Sequence, residues 1–370
     1  MQTALVIGGG VAGLSCAQAL AKRGWEVEIW RTGSRSSPTL LLNDITCYLL
    51  QDIWQLEETF WENFHVLDER RVCWGMEATV LSIPQPSVVM SGNCLVEHLE
   101  KRLQQHNQQV HFDDSLPSPD ELASFDFWHH VGQKFTWVID AGGRKSAIVK
   151  NLVGGQRYKF GQRCILSQEV MLTKASEQNV CWMETVPDGW MFLAPLGGNR
   201  AMLQCMVPVV IEEPQEMLTY LLGQTRFLNT FVDSLLGSTS VFEAFPQILA
   251  PLYGTKSIAV GDAAFSVDPI SGDGTGYAIR GAILAASVIN GIASGLERSQ
   301  CLRHYTLRLH KTFFSHLQQC LNHYSIGFSS SVWKAEIELM QEVWQNNFDI
   351  PNAENFAYRL EELNLVPLPS

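Results

Sequence analysis

Glycines near the N-terminus are spaced as in a loop that binds a pyrophosphate. Residues 4–7 are apolar and predict a buried parallel strand, which runs into Gly8-x-Gly10-x-x-Gly13 and an alanine-rich helix. Gly8 permits a tight turn, Gly10 lets the backbone approach a pyrophosphate closely, and Gly13 allows the helix to pack closely on the strand. The free N–H groups at the N-terminus of the helix then face the anion. The sequence therefore predicts a dinucleotide-binding start. Its candidate contacts are Gly8, Gly10, Val11, Ala12 and Gly13.

A second loop far along the chain has residues suited to a flavin. Residues 257–260 predict a strand that ends at Gly261-Asp262, and residues 265–274 form a loop before an apolar helix from Thr275 to about Ile292. Asp262 can contact a chain of sugar hydroxyls, while the loop backbone and the helix N-terminus face an electron-rich ring. The dipole of that helix, with its positive end at the N-terminus, stabilises the negative charge of a reduced flavin. The candidate contacts are Gly261, Asp262, Ser271, Gly272, Gly274 and Thr275.

Three motifs in this order resemble the FAD proteins grouped with para-hydroxybenzoate hydroxylase. The third is Asp-Ala-Gly-Gly-Arg-Lys-Ser at residues 140–146, which adds Gly142 and Arg144 as candidate cofactor contacts. Residues 187–196 also look like the Gly-Trp-x-Trp-x-x-Pro segment of flavin-dependent halogenases and geranylgeranyl reductases, with Phe192 at the second aromatic position. The resemblance implies FAD and an α/β fold: a Rossmann-like FAD-binding domain of the glutathione reductase type, an antiparallel-sheet substrate domain and C-terminal helices.

Within this superfamily the chain is most similar to the LodB/GoxB-type flavoproteins, which mature amino-acid oxidases that carry cysteine tryptophylquinone. The similarity rests on the loop at residues 268–274, the compact length and a C-terminal helical stretch with His323, Tyr324 and Trp333. It implies an FAD-dependent monooxygenase that hydroxylates a protein-bound tryptophan. The partner would be the precursor protein of such an oxidase. A second Gly-x-Gly-x-x-Gly motif is missing, so no separate domain for a nicotinamide is predicted. The resemblance implies that electrons come from transiently bound NAD(P)H or from a partner reductase.

Other functions stay open. A flavin-dependent halogenase needs a lysine between the flavin and the substrate, and no lysine can be assigned to that place from the sequence. A reductase of the geranylgeranyl type would use the reduced flavin without oxygen. A flavin-binding assembly factor would hold a partner protein without turnover.

Four residues are candidates for catalysis. Alternation along a predicted strand places Trp190 and Phe192 on one face, where they would form a wall over the flavin or the substrate; ordinary sheet packing is the alternative. Asp268 could orient the substrate or take a proton, or only form the turn before Pro269. The candidates are Asp268, Pro269, Trp190 and Phe192.

Two positions depart from the superfamily pattern. Arg31 follows the predicted second strand, where a Glu usually accepts hydrogen bonds from the adenosine ribose, and an arginine cannot accept one. Gly92 precedes the helix at residues 95–103, where an arginine usually faces the pyrophosphate. The sequence therefore predicts loosely held, exchangeable FAD, with Arg31 beside it.

Composition narrows the class of protein. The chain has 370 residues, 46% of them hydrophobic, and a net charge of −12, which disfavours nucleic acid as a partner. Its nine cysteines lack Cys-x-x-Cys spacing, which suits reduced thiols in a cytoplasmic protein. No metal site is predicted, because His129 and His130 on a predicted strand would point to opposite faces. The most apolar stretch, residues 281–295, predicts a buried helix, so membrane insertion is not expected.

The motifs divide the chain into discontinuous domains. Residues 1–75, 92–152 and 250–300 are predicted to form the FAD-binding domain, and residues 76–91 and 153–249 the antiparallel-sheet substrate domain. Residues 301–370 are predicted to be a C-terminal helical region. An apolar stripe from Leu302 to Tyr324 at three-to-four spacing favours packing of that helix against the body.

Overall fold

The computed structural model describes residues 2–31, 39–75, 79–115, 117–174, 176–209, 211–348 and 356–368. The strands are β1 Thr3–Ile7, β2 Glu26–Trp30, β3 Thr39–Asn43, β4 His65–Cys73, β5 Val80–Ser91, β6 Val110–Asp113, β7 Trp137–Asp140, β8 Gln156–Lys159, β9 Cys164–Leu172, β10 Val180–Val186, β11 Gly189–Gly197, β12 Arg200–Val207, β13 Val232–Glu243, β14 Gln247–Ala250, β15 Ser257–Ala259, β16 Phe265–Ser266, β17 Tyr358–Glu361 and β18 Asn364–Pro367.

The helices alternate with these strands in the N-terminal half and follow them at the end of the chain. They are α1 Val11–Ala21, α2 Asp44–Trp54, α3 Gly92–His106, α4 Pro119–Ala123, α5 Phe125–Lys134, α6 Ile148–Val153, α7 Pro214–Gly223, α8 Leu228–Phe231, α9 Gly274–Ala293, α10 Arg298–Gly327 and α11 Ser331–Asn347. Short 3-10 turns span Glu58–Asn63, Gly261–Ala263 and Pro269–Ser271.

A five-stranded parallel sheet, in the order β15-β7-β1-β2-β6, forms the Rossmann-like layer. Its strands are apolar on both faces because helices cover both faces. On β1, Ala4 and Val6 join the main core with α1 and α9, whereas Leu5 and Ile7 pack on the other face against Val131 of α5. The carboxyl ends of β1, β7 and β15 therefore meet at one edge.

An eight-stranded sheet stands over that edge, in the order β13-β9-β12-β11-β10-β4-β5-β3. The predicted strands near residues 164, 180, 190 and 201 are confirmed as β9 to β12, and their neighbours are antiparallel except for the parallel pair β4–β10. One face of the sheet packs on Leu218 and Leu221 of α7. The other face carries Met183, Trp190 and Phe192 toward the main core.

The domain boundaries differ from the predicted ones in the first third of the chain. Residues 39–75 were assigned to the FAD-binding domain, yet β3 and β4 pair with β5 and so belong to the eight-stranded sheet. The sequence does not predict this boundary, because it depends on pairing with strands that lie later in the chain. β3 pairs with β5, and β4 pairs with β5 and β10. His129 and His130 are also placed differently, because they lie on helix α5 and not on a strand.

The C-terminal region is mostly helical. Helix α10 is 30 residues long, and its predicted stripe from Leu302 to Tyr324 is buried as expected. The region predicted to be helical also contains a hairpin of β17 and β18, which buries Tyr358 and Leu365. Helix α9 is, of the described helices, the one long and apolar enough to cross a membrane, and 61% of its apolar window is buried inside the protein.

Candidate functional site

A cavity of about 650 Å³ lies between the Rossmann-like layer and the eight-stranded sheet. Its walls include Gly10 and Ala12 from the fingerprint, Pro269 and Gly272 from the second loop, and Phe192 from β11. The structure therefore brings the three sequence motifs and the covering sheet to one place. Of the sequence-predicted residues, those lining the cavity are Gly10, Val11, Ala12, Arg144, Trp190, Phe192, Asp262, Pro269, Gly272, Gly274 and Thr275.

The fingerprint glycines have different surroundings. Gly8 has φ +119°, and a Cβ on Gly13 would lie 2.0 Å from the carbonyl oxygen of Gly8, so both positions exclude a side chain for reasons internal to the protein. A Cβ on Gly10 would meet no protein atom within 4 Å. Gly10 opens onto the cavity instead, at the N-terminus of α1. This is the cradle that a dinucleotide pyrophosphate requires, and the residues fit FAD.

The loop after β7 is fixed by the buried Asp140. Its Oδ1 accepts hydrogen bonds from Gly142 N at 3.1 Å and Ser146 Oγ at 2.5 Å, and its Oδ2 accepts one from Val149 N at 3.1 Å. Gly142 thus shapes the loop and does not line the cavity, while Arg144 reaches the cavity. The guanidinium of Arg144 donates to the Phe245 carbonyl and stacks 4.5 Å from the centre of the Phe245 ring.

The strand end at Gly261 places Asp262 in the cavity wall, as predicted. Gly261 has φ +56°, and a Cβ there would lie 2.6 Å from the Cβ of Ala12, so the loop sits tightly on the start of α1. Asp262 is exposed and lines the cavity, and its contact with a chain of sugar hydroxyls stays a prediction.

Asp268 does not line the cavity. It is fully buried behind the loop, where its Oδ2 pairs with Arg163 Nε at 3.1 Å and its Oδ1 accepts from Tyr324 Oη at 2.8 Å and Ile270 N at 2.9 Å. These contacts fit the turn-forming alternative for Asp268 and not a direct role in catalysis. Asp268 instead positions the 3-10 turn at Pro269–Ser271, while Ser271 Oγ bonds its carbonyl at 3.3 Å.

Arg163 connects this loop to the C-terminal helices. The guanidinium is fully buried, and its Nη1 also pairs with Glu336 Oε1 of α11 at 2.7 Å. Burial raises the pKa of Glu336, and the Arg163 charge opposes that rise. On α10, burial lowers the pKa of His316, so its Nε2 is unprotonated and accepts from Asp268 N at 2.9 Å. A saturated network therefore holds the loop that faces the cavity.

Trp190 and Phe192 lie on the same face of β11, as alternation predicts, and both line the cavity. Trp190 Nε1 donates to Tyr324 Oη at 3.4 Å, which links the covering sheet to the network behind the loop. Phe192 lies beneath the guanidinium of Arg70, 5.6 Å from the ring centre. The wall over the second loop is thus aromatic, with one cation beside it.

Arg31 lies outside the cavity wall and is paired. Its Nη1 bonds Glu100 Oε2 of α3 at 2.7 Å and its Nε bonds Asp114 Oδ1 at 2.6 Å. The other carboxylate oxygen of Glu100 would be 3.4 Å from a Cβ on Gly9. Helix α3 therefore brings hydrogen-bond acceptors close to the fingerprint, and the end of β2, where Arg31 stands, has no such acceptor. The exchangeable FAD expected from Arg31 and Gly92 stays a prediction.

Two important residues were missed by sequence reasoning. Arg163 stands before an apolar strand, and Arg70 stands in the charged run Glu69-Arg70-Arg71, which is typical of an exposed strand. Their roles depend on residues more than 100 positions away, such as Asp268 and Phe192. No local signal identifies them.

Comparisons with known proteins agree with this geometry. A family profile described as an NAD(P)-binding Rossmann-like domain matches residues 6–38. The flavin-dependent halogenase armH5 of Armillaria mellea is 25% identical over 209 residues, which are 49% of this chain and 40% of that protein. The sequence match therefore spans less than half of the halogenase.

Solved structures resemble the chain over most of its length. The flavin-dependent halogenase CmlS has a TM-score of 0.76 at 17% identity, covering 91% of this chain and 67% of its own. The peptidyl tryptophan dihydroxylase QhpG has a TM-score of 0.69 at 16% identity, covering 99% and 86%. The probable FAD-dependent monooxygenase pqsL of Pseudomonas aeruginosa has a TM-score of 0.66 at 15% identity, covering 92% and 99%.

The fold is the α/β FAD-binding fold of flavin-dependent halogenases and monooxygenases. The predicted fold class is confirmed. The relative armH5 and the neighbours CmlS and pqsL are described as flavin-dependent halogenases or an FAD-dependent monooxygenase, in agreement with the expected FAD and with the expected class of enzyme, an FAD-dependent oxidoreductase. The finer resemblance to the LodB/GoxB-type flavoproteins stays a prediction.

Proposed function

We propose that the chain is an FAD-dependent monooxygenase that hydroxylates an aromatic ring, and that this ring is a protein-bound tryptophan in the precursor of a cysteine tryptophylquinone oxidase. The observation that carries the proposal is the composition of the cavity wall. It is aromatic and apolar beside the second loop, and its cation there is Arg70.

The nature of the cation in the cavity wall favours oxygenation over halogenation. A halogenase needs a lysine between flavin and substrate. All the lysines of the chain are among the described residues, and none lines the cavity. An arginine keeps its proton and its charge throughout the working pH range, so it does not replace the amine of a lysine in that chemistry.

The residues of the chain would divide the work of the reaction. The helix N-terminus at Gly10 would bind the pyrophosphate, and Asp262 would accept hydrogen bonds from the sugar hydroxyls. The loop at Pro269 to Gly272, held from behind by Asp268, orients the ring, and Trp190 with Phe192 excludes water. Bound FAD supplies the transfer of two electrons to oxygen.

The balance of the reaction requires a reductant. One oxygen atom of O₂ enters an aromatic C–H bond and the other leaves as water, with two electrons from a reduced nicotinamide or a partner reductase and two protons, of which at least one comes from solvent. Tryptophan as the ring is supported by the likeness to the peptidyl tryptophan dihydroxylase QhpG, which covers 99% of the chain.

The test uses the FAD-loaded protein, a reductant, heavy-isotope oxygen gas and a tryptophan-containing precursor protein captured with this chain. The proposal predicts that mass analysis finds isotopic oxygen on that tryptophan. Unmodified tryptophan in a stable complex would support the assembly-factor alternative instead.

Halogenation is the second candidate, because the sequence relative armH5 and the structural neighbour CmlS are both described as flavin-dependent halogenases. Addition of bromide to the same reaction separates the candidates. A brominated ring would establish the halogenase and overturn the monooxygenase.

A further inference from the structure

We propose that Arg70 is an anion-binding residue that holds a carboxylate of the substrate inside the cavity. The inference rests on the proposed function in one respect: the substrate is taken to bind in this cavity. It adds the chemical class of the substrate, an aromatic group with a carboxylate nearby.

A β-bulge brings Arg70 to the cavity. The pairing of β4 with β5 shifts register between Leu67 and Glu69. Without the bulge, strict alternation would place Glu69 and Arg71 on the face of Leu67. With it, Leu67 and Arg70 are both buried although they are three positions apart, and Arg71 turns to the opposite face over the ring of Trp182. Bulges redirect side chains in this way next to functional sites.

Arg70 is buried without a matching charge. The residue is 8% exposed, and its Nε has no hydrogen-bond partner. Among the described residues no carboxylate forms an ion pair with it, whereas the adjacent Arg71 pairs with Glu69 at 2.8 Å and also with Glu177. A guanidinium removed from water is stable when a counter-charge is supplied, and the open side of Arg70 faces the cavity.

The protein groups next to Arg70 do not neutralise it. Burial raises the pKa of the Cys181 thiol, and Arg70 only partly opposes that rise, so the thiol stays protonated at neutral pH. Phe192 offers the face of its ring. The Arg70 Nη2 would lie 3.0 Å from a Cβ on Gly272, so the guanidinium sits directly against the loop. A ligand on Arg70 is therefore adjacent both to the loop and to the aromatic wall.

The chemistry of the donor favours a carboxylate. A guanidinium is planar and offers two parallel N–H groups, which match the two oxygens of a carboxylate. The aromatic rings of Trp190 and Phe192 border the same space and suit an aromatic group on the same molecule. A free aromatic acid and an acidic side chain beside a tryptophan in a polypeptide offer this same chemistry.

The test measures binding to the oxidised, FAD-loaded protein without turnover, from the change in flavin absorbance and by calorimetry. One pair of probes is indole-3-acetate and the neutral 3-methylindole. The other is a short peptide with Trp-Glu and its Trp-Gln counterpart. We expect the wild type to prefer the carboxylate of at least one pair by about 10- to 100-fold. The pair that shows the preference identifies the source of the carboxylate.

The variants are Arg70→Met, Arg70→Lys and the matched control Arg71→Met on the same strand. Arg70→Met should abolish the preference, Arg70→Lys should retain part of it, and Arg71→Met should leave it unchanged. Three results would overturn the proposal: no preference in the wild type, an unchanged preference in Arg70→Met, or an effect of Arg70→Met on FAD affinity alone.

Bromide provides a further control. The carboxylate assignment is wrong if Arg70→Met weakens the binding of bromide but leaves the binding of the carboxylate probes unchanged. The ligand of Arg70 would then be a halide. The binding test is independent of oxygenation. A protein that prefers carboxylates through Arg70 but adds no oxygen to tryptophan would lose the proposed function and keep this site.

Discussion

Two buried arginines lie on opposite sides of the same loop. Behind it, Arg163 is paired with Asp268 and Glu336 and packs over the ring of Tyr324. In front of it, Arg70 has an Nε without a partner and faces the cavity. The difference indicates a division of roles. The arginine that is paired with carboxylates fixes the position of the loop, and the arginine without a carboxylate partner is available to a ligand.

The largest effect is expected from Arg163→Met. The substitution leaves Asp268 and Glu336 as buried carboxylates without their counter-charge, so the free energy of unfolding should fall by roughly 3–5 kcal/mol. Urea denaturation measures the change. Arg70→Met is the matched control, and it should not lower stability, because it removes a buried charge and no protein partner loses its counter-charge. Equal losses in the two variants would contradict the division of roles.

His304 sharpens the comparison, because it is a buried group without a partner that faces no ligand site. Its Nδ1 has no hydrogen-bond partner, and its ring packs against Phe356 and Tyr358. Burial lowers the pKa of His304 to about 4. As the pH falls below about 6.5, the imidazole of residue 304 is protonated in the unfolded chain, while in the folded protein it stays neutral down to about pH 4. The free energy of unfolding therefore falls by roughly 3 kcal/mol between these two pH values.

His304→Leu should reduce this pH dependence of the unfolding free energy, measured by urea titrations near neutral pH and near pH 4.5. The exposed His111 provides a control in His111→Gln, which should keep the wild-type slope. An unchanged slope in His304→Leu would mean that His304 does not titrate as its burial requires.

The fingerprint offers the same contrast in two glycines. Gly13→Ala places a Cβ 2.0 Å from the Gly8 carbonyl oxygen, and should cost about 1–3 kcal/mol of stability. Gly10→Ala meets no protein atom within 4 Å and should leave the stability of the protein without FAD unchanged. It should instead weaken FAD binding, measured by equilibrium dialysis. Unchanged FAD affinity in Gly10→Ala would argue against pyrophosphate binding at this loop.

The smallest effect is expected from Tyr324→Phe. The variant removes the hydroxyl that donates to Asp268 and accepts from Trp190, and should lower stability by about 1–2 kcal/mol, measured as a shift of the urea midpoint. The fold should be retained because Arg163 still pairs with Asp268. A loss as large as that of Arg163→Met would show that the hydroxyl, and not the ion pair, holds the loop.

The sequence predicts local parts of this molecule well. The fingerprint at Gly8 to Gly13, the strand end at Asp262 and the alternation of Trp190 and Phe192 depend on residues close together in the chain, and the structure places them as expected. The membership of β4 in the covering sheet depends on β5 and β10, which lie later in the sequence. The sequence leaves Asp268 either a catalytic role or a turn-forming one, because its burial depends on distant partners such as Arg163 and Tyr324.

Arg70 illustrates the limit most clearly. Its neighbours in the sequence are charged, and period-two alternation groups Leu67 with Arg71 on one face of the strand. A single bulge reverses that assignment. The register shift depends on the pairing between β4 and β5, which composition and periodicity do not encode.

The measurement that tests the account most directly is a competition between oxygen and bromide in a single turnover. The FAD-loaded protein is reduced without air and mixed with a tryptophan peptide, bromide and heavy-isotope oxygen gas, and the product is analysed by mass spectrometry. An Arg70 cavity without lysine predicts isotopic oxygen and no bromine on the ring. A brominated ring, or an unmodified ring after the flavin has been reoxidised, would contradict the assignment as a monooxygenase.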